Sequence, residues 1–327
     1  MIYRRRFIAM SALGLAAAAN PRAVWSQATR KLARLVVGFP PGGSLDVVAR
    51  LLAEQLKDYA DSVIVENRPG AGGRIALEGL KNSPPDGSLM VLTPGDQLSL
   101  FPLVYKSLAY DPFKDFVAVS TVCTVQFLLT IGPMVPAGVD TLQSFIAWCR
   151  ANPKLASYGT AGAGTRQHFI GETLSRAAGF EFVHVPYKGA PPAMQDLLAG
   201  QIAANVSVIS TALPNIEAGK VRALLTSAPR RSAALPQVPT ARESGYAALE
   251  AVETFGLLLA RSTPQVTVDA LNAATRRAIA SATAREGLIK LSFEPAGSTP
   301  EEFAALIKFD FEKWSGVVRN SGFKPID

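Results

Sequence analysis

Residues 35–56, LVVGFPPGGSLDVVARLLAEQL, decide the fold of this chain. The first three residues are an apolar run that predicts a buried strand, and apolar residues at helical spacing predict a helix over 46–60. Between them, the prolines and glycines of FPPGGSLD (39–46) predict a tight turn, with Ser44 as the helix cap. The stretch is therefore half of a β-α unit.

The same alternation recurs along the rest of the chain. Further strands are predicted at 63–65, 89–92, 125–132, 156–160, 181–186, 202–209, 221–226 and 253–260. Further helices are predicted at 73–82, 141–151, 165–178, 190–199, 212–218, 264–281, 283–291 and 299–321. Strands that alternate with helices form parallel sheets through right-handed crossovers, so the predicted class is α/β with two lobes.

Each lobe is assigned from this order of elements. The C-terminal helices have no strands of their own to cover, so we expect them to complete the first lobe. Lobe 1 is then 29–127 together with 253–327, and lobe 2 is 128–252. The chain would cross between the lobes near 126–128 and 251–254, and these crossings are the expected hinge.

The N-terminal residues 1–28 have the pattern of a secretory signal peptide. Arg4 to Arg6 precede an apolar run that is too short to span a bilayer. The order fits a twin-arginine signal, and a Sec-type leader that starts with three arginines is the alternative. Cleavage is expected after Ala28, with Ser26 as the second choice, and the mature chain is expected in the periplasm.

Composition excludes several classes of protein. Of the 327 residues, 48% are hydrophobic and 18% are charged, as in a globular protein. The formal net charge is +7, but the leader accounts for four arginines and no acid. No cluster of basic and aromatic residues remains, so no nucleic-acid interface is predicted.

Signatures of catalysis are missing from the sequence. It has no GxSxG elbow, no HExxH pair and no CxxC, so no catalytic residue, metal or cofactor is predicted. His168 and His184 are expected to be structural rather than to transfer protons. Cys123 and Cys149 have no metal-ligand spacing, and they could form a disulfide or remain two buried thiols.

Two interpretations of the turn at 39–46 stay open. It is a simple turn or an anion cradle, since backbone N–H groups at a helix N-terminus carry partial positive charge. No lysine follows the glycines, so a nucleotide P-loop is not predicted. If the first three strands pair in the order 2-1-3, the loop at 93–97 faces the turn across a crevice where ligands bind.

A second glycine loop has the same design. Residues 158–168, YGTAGAGTRQH, end a strand, pass through three glycines and begin a helix. The order of the glycines is not the dinucleotide fingerprint, so NAD binding is not predicted. Glycine loops at helix N-termini in two lobes favour a shared anion site.

A series of short motifs links the chain to a known family. They are VGFPPGG (37–43) followed by Asp46 and Arg50, VENRPGAGG (65–73), PDG (85–87), YDPFKDF (110–116), HVPYKG (184–189), DLLAGQ (196–201) and LPQVPT (235–240). With these motifs in this order, the sequence resembles the Bug-type extracytoplasmic solute-binding proteins of tripartite tricarboxylate transporters. The resemblance covers essentially the whole mature chain.

The resemblance implies a type II periplasmic binding protein of the Venus-flytrap kind, with a ligand cleft between two α/β lobes. It implies a monomer that is not an enzyme, that binds a small organic carboxylate and that works with membrane permease subunits. Carried over, the ligand-binding positions are Phe39, Gly43, Ser44, Asp46, Thr93, Gly95, Asp96, Gln97, Thr160, Gly162, Gly164, Thr165, His168 and Ser207.

Departures from the family pattern leave the ligand open. The family often has acids where this chain has Ala203 and Ser207, and an aromatic residue where it has Thr254. The distal part of the pocket is therefore expected to differ. Two other functions also stay open: a ligand-presenting sensor for a signalling kinase, and a secreted hydrolase that uses His168 with a nearby serine.

Overall fold

The computed structural model describes residues 30–327 and has the alternating elements that the sequence predicts. Within these residues there are ten strands: β1 Ala33–Val37, β2 Val63–Asn67, β3 Leu89–Pro94, β4 Phe116–Ile131, β5 Ser157–Thr160, β6 Val183–Pro186, β7 Ala204–Val208, β8 Arg222–Thr226, β9 Val252–Ala260 and β10 Glu294–Pro295. The same range contains eleven α-helices: α1 Ser44–Gln55, α2 Arg74–Lys81, α3 Asp96–Ser99, α4 Phe101–Val104, α5 Leu142–Ala151, α6 Arg166–Ala178, α7 Ala190–Leu198, α8 Ile209–Glu217, α9 Gln265–Ala280, α10 Ala282–Lys290 and α11 Pro300–Ser321.

The strands form one continuous sheet with two halves. The first half has the order β2-β1-β3-β9-β4 and the second half continues β4-β7-β5-β6, while β10 and β8 also pair with β4. We use lobe 1 for the first half with the helices that cover it, and lobe 2 for the second half. β1 pairs in parallel with both β2 and β3, so the predicted order 2-1-3 is confirmed. The two long strands β4 and β9 pair antiparallel with their neighbours, so the sheet is mixed and not parallel throughout as predicted.

The long strand β4 passes from one lobe to the other. Gln126 pairs with Val252 on β9, and the next residue, Phe127, pairs with Val208 on β7. The change of partner falls within the crossing expected near 126–128, and β9 begins within the other one. The exact lobe boundaries given above remain a prediction.

Several elements differ from the sequence prediction. The helix predicted over 46–60 is α1, Ser44–Gln55, and the helix predicted over 212–218 is α8, which begins at Ile209. The strand expected at 125–132 begins already at Phe116, and its first part carries two register shifts against β9. Such bulges interrupt the alternation by which a strand is recognised. The helices α3 and α4 and the strand β10 are too short to leave a periodic signal.

The C-terminal helix α11 packs on both lobes. Near its start, Phe303 is buried in a cluster with Leu80 of lobe 1. Near its end, Trp314 is buried in a cluster with Phe169 of lobe 2. Thr299 and Glu302 form a capping box that fixes the first turn. One helix of about 33 Å therefore contacts both lobes.

Other predictions concern the termini and the cysteines. The predicted leader, 1–28, lies outside the described residues. Cys123 and Cys149 are both free and buried, so the alternative of two buried thiols is confirmed. Burial raises the pKa of the Cys149 thiol to about 12. Among residues 30–327, no helix is both long and apolar enough to cross a membrane.

Candidate functional site

The turn at 39–46 presents the N-terminus of α1 at the carboxyl end of β1. Gly42 has φ of +81°, a backbone conformation that glycine adopts without strain. The N-cap is Gly43 and Ser44 is the first residue of α1, so the predicted cap at Ser44 is wrong. No side chain accepts hydrogen bonds from the first N–H groups of the helix. This helix end therefore suits an external anion.

Asp46 holds the turn in shape. Its carboxylate accepts hydrogen bonds from the Gly42 N–H (2.9 Å), the Arg50 guanidinium (3.0 Å) and Asn67 Nδ2 (2.9 Å). Asn67 also donates to the Phe39 carbonyl (3.0 Å). Burial alone would raise the pKa of Asp46, but these hydrogen bonds hold it below its ordinary value. An ionised Asp46 is thus part of the frame of the turn.

The turn that precedes α2 packs on the segment after β1 through glycine backbones, and the loop after β3 packs on that turn. A Cβ on Gly38 would lie 2.6 Å from Gly73 Cα, so the two backbones touch. Gln97 Nε2 donates to the Gly72 carbonyl (2.6 Å), and Gln97 Oε1 accepts from the Thr93 hydroxyl. Both polar side chains are buried. They brace the loop against the turn that precedes α2.

The glycine loop of lobe 2 is closed by two hydroxyl groups. Thr160 Oγ1 donates to the Gly162 carbonyl (3.0 Å), and Thr165 Oγ1 donates to the same carbonyl (2.9 Å). Thr165 is also the N-cap of α6 and accepts from the His168 N–H (3.4 Å). The hydroxyl groups therefore fix the loop to the start of the helix.

The two histidines stack behind this loop. Their ring centroids lie 3.9 Å apart, with the planes at 15°. His168 Nδ1 accepts from the Gly164 N–H (3.2 Å), and His184 Nε2 lies 2.7 Å from Thr160 Oγ1. Burial lowers the pKa of both imidazoles, and the neighbouring His168 helps to lower that of His184 to about 3. Neutral rings thus support the loop.

A third segment, between β7 and α8, reaches the turn of lobe 1. Ser210 Oγ lies 3.0 Å from Ser44 Oγ, although 166 positions separate the two residues. Ser210 is in the first turn of α8. The N-cap of this helix is Val208, whose side chain has no hydrogen-bond acceptor. Ser207, near the end of β7, is buried and its hydroxyl has no hydrogen-bond partner among the described residues. The N-termini of α1 and α8 therefore meet between the lobes.

Arg166 connects the loop after β3 with the glycine loop of lobe 2. Its backbone N–H donates to Asp96 Oδ2 (3.1 Å), and its Nε donates to Asp96 Oδ1. Its Nη2 donates to Asp310 Oδ2 (2.7 Å) and its Nη1 to the Val252 carbonyl (2.5 Å). The Asp96 carboxylate is therefore engaged by Arg166 at both oxygens.

Comparison with known proteins identifies the family. A family model described as "Tripartite tricarboxylate transporter family receptor" matches residues 48–323. The chain belongs to this family. Protein BugT of Bordetella pertussis is 33% identical over 297 residues, which are 89% of each chain. A protein from the gbd 5′ region of Cupriavidus necator is 33% identical over an alignment of 331 positions that covers 98% of each chain.

Solved structures of similar proteins confirm the predicted fold and family. The periplasmic binding protein BugD has a TM-score of 0.81 at 29% identity, over 90% of this chain and 98% of BugD. An R. palustris protein solved with adipate has a TM-score of 0.84 at 29% identity, over 90% and 98% of the two chains. MatC from Rhodopseudomonas palustris, with bound malate, has a TM-score of 0.78 at 29% identity, over 88% and 98%.

A receptor of this family is a periplasmic solute-binding protein, and its structural neighbours are solute-binding proteins rather than enzymes. In this receptor the predicted ligand residues fall into four groups. The groups are Phe39, Gly43, Ser44 and Asp46 around the start of α1; Thr93, Gly95, Asp96 and Gln97 after β3; Thr160, Gly162, Gly164, Thr165 and His168 before and in α6; and Ser207 near the end of β7. Gln97 joins the second group to the turn before α2, and Asp96 joins it to the third.

Sequence reasoning missed several residues that shape the site of this family receptor. The sequence patterns predict no role for Ser210 and Arg166, although both link segments from different lobes. Glu253 and Asp310 were also missed. One signal was available, because Glu253 is the one charged residue of the strand VETFGLLLA and a buried acid requires a partner.

Proposed function

We propose that this receptor captures a small organic carboxylate between its lobes and delivers it to the permease of a tripartite tricarboxylate-type transporter. The observation that carries the proposal is the meeting of two helix N-termini, α1 from lobe 1 and α8 from lobe 2, at the contact between Ser44 and Ser210 (3.0 Å). Each helix N-terminus carries about half a positive charge, so an anion between them offsets their repulsion.

The chemistry around this point favours a carboxylate held by neutral donors. Arg50 and Arg166 flank the two loops, but each is paired with a buried acid, Asp46 or Asp96. Backbone amides and hydroxyl groups remain to bind the ligand. Hydrogen bonds from such donors to an ionised acceptor are stronger than those between neutral groups, so they can hold an acid without a cation.

We assign the predicted residues two kinds of role. Those proposed to contact the ligand are Phe39, Gly43, Ser44, Gly95, Gly162, Thr165 and Ser207, with Ser210 added. Those proposed to position them are Asp46, Thr93, Asp96, Gln97, Thr160, Gly164 and His168. The positioning role rests on contacts, because the second group uses its polar atoms on neighbouring protein atoms. The contact role rests on the place of the first group in or beside the loops, and we assign Thr165 both roles because its hydroxyl also binds the Gly162 carbonyl.

Closure explains how binding becomes a signal to the transporter. A ligand that bridges both lobes contacts more donors when the lobes are together, so it stabilises the closed form by that difference. The bend is expected where β4 changes partner, at Gln126 and Phe127, and at the start of β9. The membrane partner would then distinguish closed from open receptor.

The proposal is tested by calorimetry with a panel of acids and matched amides. The panel contains adipate and malate, which relatives bind, together with citrate, glutamate and benzoate. Each is compared with its neutral amide, which keeps the shape and removes the charge. We expect at least one acid to bind and its amide to bind far more weakly. Equal affinity for acid and amide, or no binding in the whole panel, would reject the carboxylate site.

Transport is tested separately in the cell. Deletion of the gene should abolish uptake of the radiolabelled acid that calorimetry identifies, and a plasmid copy should restore it. Normal uptake in the deletion strain would remove the transport role while leaving the binding role intact.

A further inference from the structure

Four buried ionisable side chains meet where the two lobes join. Arg166 lies at the start of α6 in lobe 2, directly after the N-cap Thr165, and only 2% of its surface is exposed. Its guanidinium contacts Asp96 from α3 and Asp310 from α11. Glu253 from β9 completes the group, with its Oε2 at 3.7 Å from Arg166 Nε. We call these four residues the interlobe cluster.

The charges of the interlobe cluster do not balance. Three carboxylates surround one guanidinium, and all four residues are at most 9% exposed. An uncompensated buried charge is costly, and a buried acid commonly avoids that cost by taking up a proton. The cluster therefore favours at least one protonated carboxyl group.

Glu253 is the member placed to hold that proton. Asp96 and Asp310 form close ion pairs with Arg166, whereas Glu253 lies farther away and accepts one hydrogen bond, from the Thr254 N–H (3.0 Å). Burial raises the pKa of Glu253 well above its ordinary value, and the neighbouring Asp96 carboxylate raises it further. Burial alone would lower the pKa of Arg166, but the surrounding acids raise it, so the guanidinium stays charged.

The groups that face Glu253 come from four elements. They are Asp96 of α3, Arg166 of α6, Asp310 of α11 and the Cys123 thiol of β4. Cys123 is neutral, because burial raises the pKa of its thiol. The charge near Glu253 is thus set by one cation and two anions, and Arg166 and Asp96 belong to different lobes.

The position of the interlobe cluster ties it to lobe movement. Glu253 pairs with Val125, one residue before the last β4 pair with β9. Arg166 Nη1 also donates to the carbonyl of Val252, at the start of β9 (2.5 Å). A rotation of the lobes about these strands changes the distance between Asp96 and Arg166 and the exposure of Glu253.

We propose that Arg166 is a positioning residue and that the interlobe cluster couples closure of the lobes to uptake of one proton by Glu253. The inference rests on the proposed function only in that closure accompanies ligand binding. Arg166 acts without touching the ligand, by docking the glycine loop of lobe 2 against the loop after β3. Closed receptor is then favoured at lower pH, and ligand affinity falls as pH rises and the proton is lost.

Calorimetry of the wild-type protein tests the coupling directly. The first probe is adipate, and the second is the tightest-binding acid of the panel. Binding is measured between about pH 6 and about pH 8.5, where the acids are ionised. At each pH, two buffers of different ionisation enthalpy are used, so that proton uptake can be calculated. We expect uptake of up to about one proton and a Kd that rises by up to about tenfold per pH unit. A constant Kd with no proton uptake would overturn the proposal.

Variants locate the proton. Glu253→Gln mimics the protonated acid. At high pH it should therefore bind the ligand with the affinity that the wild type has at low pH, and binding should take up no proton. Asp96→Asn removes the neighbouring charge that raises the Glu253 pKa most, and it should make the Kd less dependent on pH, as Glu253→Gln does. Glu312→Gln, at an exposed position of α11, is the matched control and should keep the wild-type profile. If the Kd of Glu253→Gln depended on pH as that of the wild type does, the assignment of the proton to Glu253 would be overturned.

Small-angle scattering without ligand separates this proposal from the proposed function. The radius of gyration of the wild-type protein should increase over the same pH range, and that of Glu253→Gln should not. If no acid of the panel binds, the carboxylate function fails while the scattering still decides the coupling. A radius of gyration independent of pH in the wild type would overturn it.

Discussion

The hydroxyl oxygens of Ser44 and Ser210 lie 3.0 Å apart, and they belong to the first turns of two helices from different lobes. Neither helix has a side-chain cap at this end. The contact therefore places two sets of backbone donors and two hydroxyl groups around one point between the lobes. A carboxylate bound there would touch both lobes at once.

Removal of either hydroxyl should weaken ligand binding. Ser44→Ala and Ser210→Ala should each raise the Kd for the tightest-binding acid of the panel by about tenfold to about 150-fold, because a hydrogen bond to a charged acceptor contributes about 1.5–3 kcal/mol. The double variant should lose less than the sum, since both hydroxyls serve the same ligand group. Calorimetry measures all three. Ser62→Ala, at an exposed position of lobe 1, is the control and should bind as the wild type does. An unchanged Kd in both single variants would contradict the assigned site.

Short-range patterns predict most of this fold. The helices α9, α10 and α11 begin and end within one residue of their predicted bounds, because helical spacing of apolar residues depends on the sequence close by. The first part of β4 was missed because its bulges break the alternation. The glycine loops were found because positive φ and close backbone approach restrict the choice of residue.

The contacts that complete the candidate site depend on distant parts of the chain. Arg166 lies 70 positions from Asp96 and 144 from Asp310. Ser210 lies 166 positions from Ser44. Nothing in the spacing of these residues indicates that they meet, since the sheet order and the passage of β4 between the lobes bring them together. Sequence patterns can therefore identify the loops but not their partners.

A side chain at Gly73 should destabilise lobe 1. An added Cβ would overlap Gln97 Nε2, and the backbone has φ of +91°. We expect Gly73→Ala to lower the free energy of unfolding by about 2–4 kcal/mol, which combines backbone strain with overpacking. Equilibrium unfolding in urea measures the change.

Two other glycines separate the contributions of strain and overlap. Gly42 has φ of +81°, but an added Cβ there would have nothing within 4 Å. Gly42→Ala should therefore lower the free energy of unfolding only by the backbone strain, about 1–2 kcal/mol. Gly316→Ala lies in α11 with nothing within 4 Å, and it should be neutral or stabilising by up to about 1 kcal/mol. Equal losses in the Gly73 and Gly42 variants would show that Gln97 yields to the new side chain.

Neutralisation of Asp46 should loosen the first turn. Asp46→Asn keeps one acceptor oxygen but replaces the other with an NH2 donor and removes the charge. Part of the hydrogen bonding to Gly42, Arg50 and Asn67 is therefore lost, which should lower the free energy of unfolding by about 1–3 kcal/mol and weaken ligand binding. The Asp46 pKa is depressed, so its contribution is present above the ordinary value of 3.8 and is lost as pH falls below it.

The pH dependence of the Asp46→Asn effect tests whether this stability comes from the ionised carboxylate. The difference between wild type and Asp46→Asn in urea unfolding should shrink as pH falls below 3.8, because the wild-type carboxylate then takes up a proton. Glu54→Gln, exposed on the same helix, should match the wild type throughout. A difference between wild type and Asp46→Asn that is independent of pH would assign the effect to packing instead.

The stacked histidines should make the receptor sensitive to acid. Both imidazoles have a pKa below the ordinary 6.5, that of His184 about 3, so the folded state favours neutral rings. The unfolded chain binds protons first, and the free energy of unfolding should decline below pH 6.5 by up to about 1.4 kcal/mol per unit for each ring. The chain has only two histidines, so NMR can follow both titrations directly.

The variant His184→Gln should reduce this decline in the free energy of unfolding. In the wild type, ligand affinity should also fall as the pH is lowered, because a proton on His168 Nδ1 removes the acceptor of the Gly164 N–H. Titration of either ring near 6.5 in the folded protein would contradict the neutral stack.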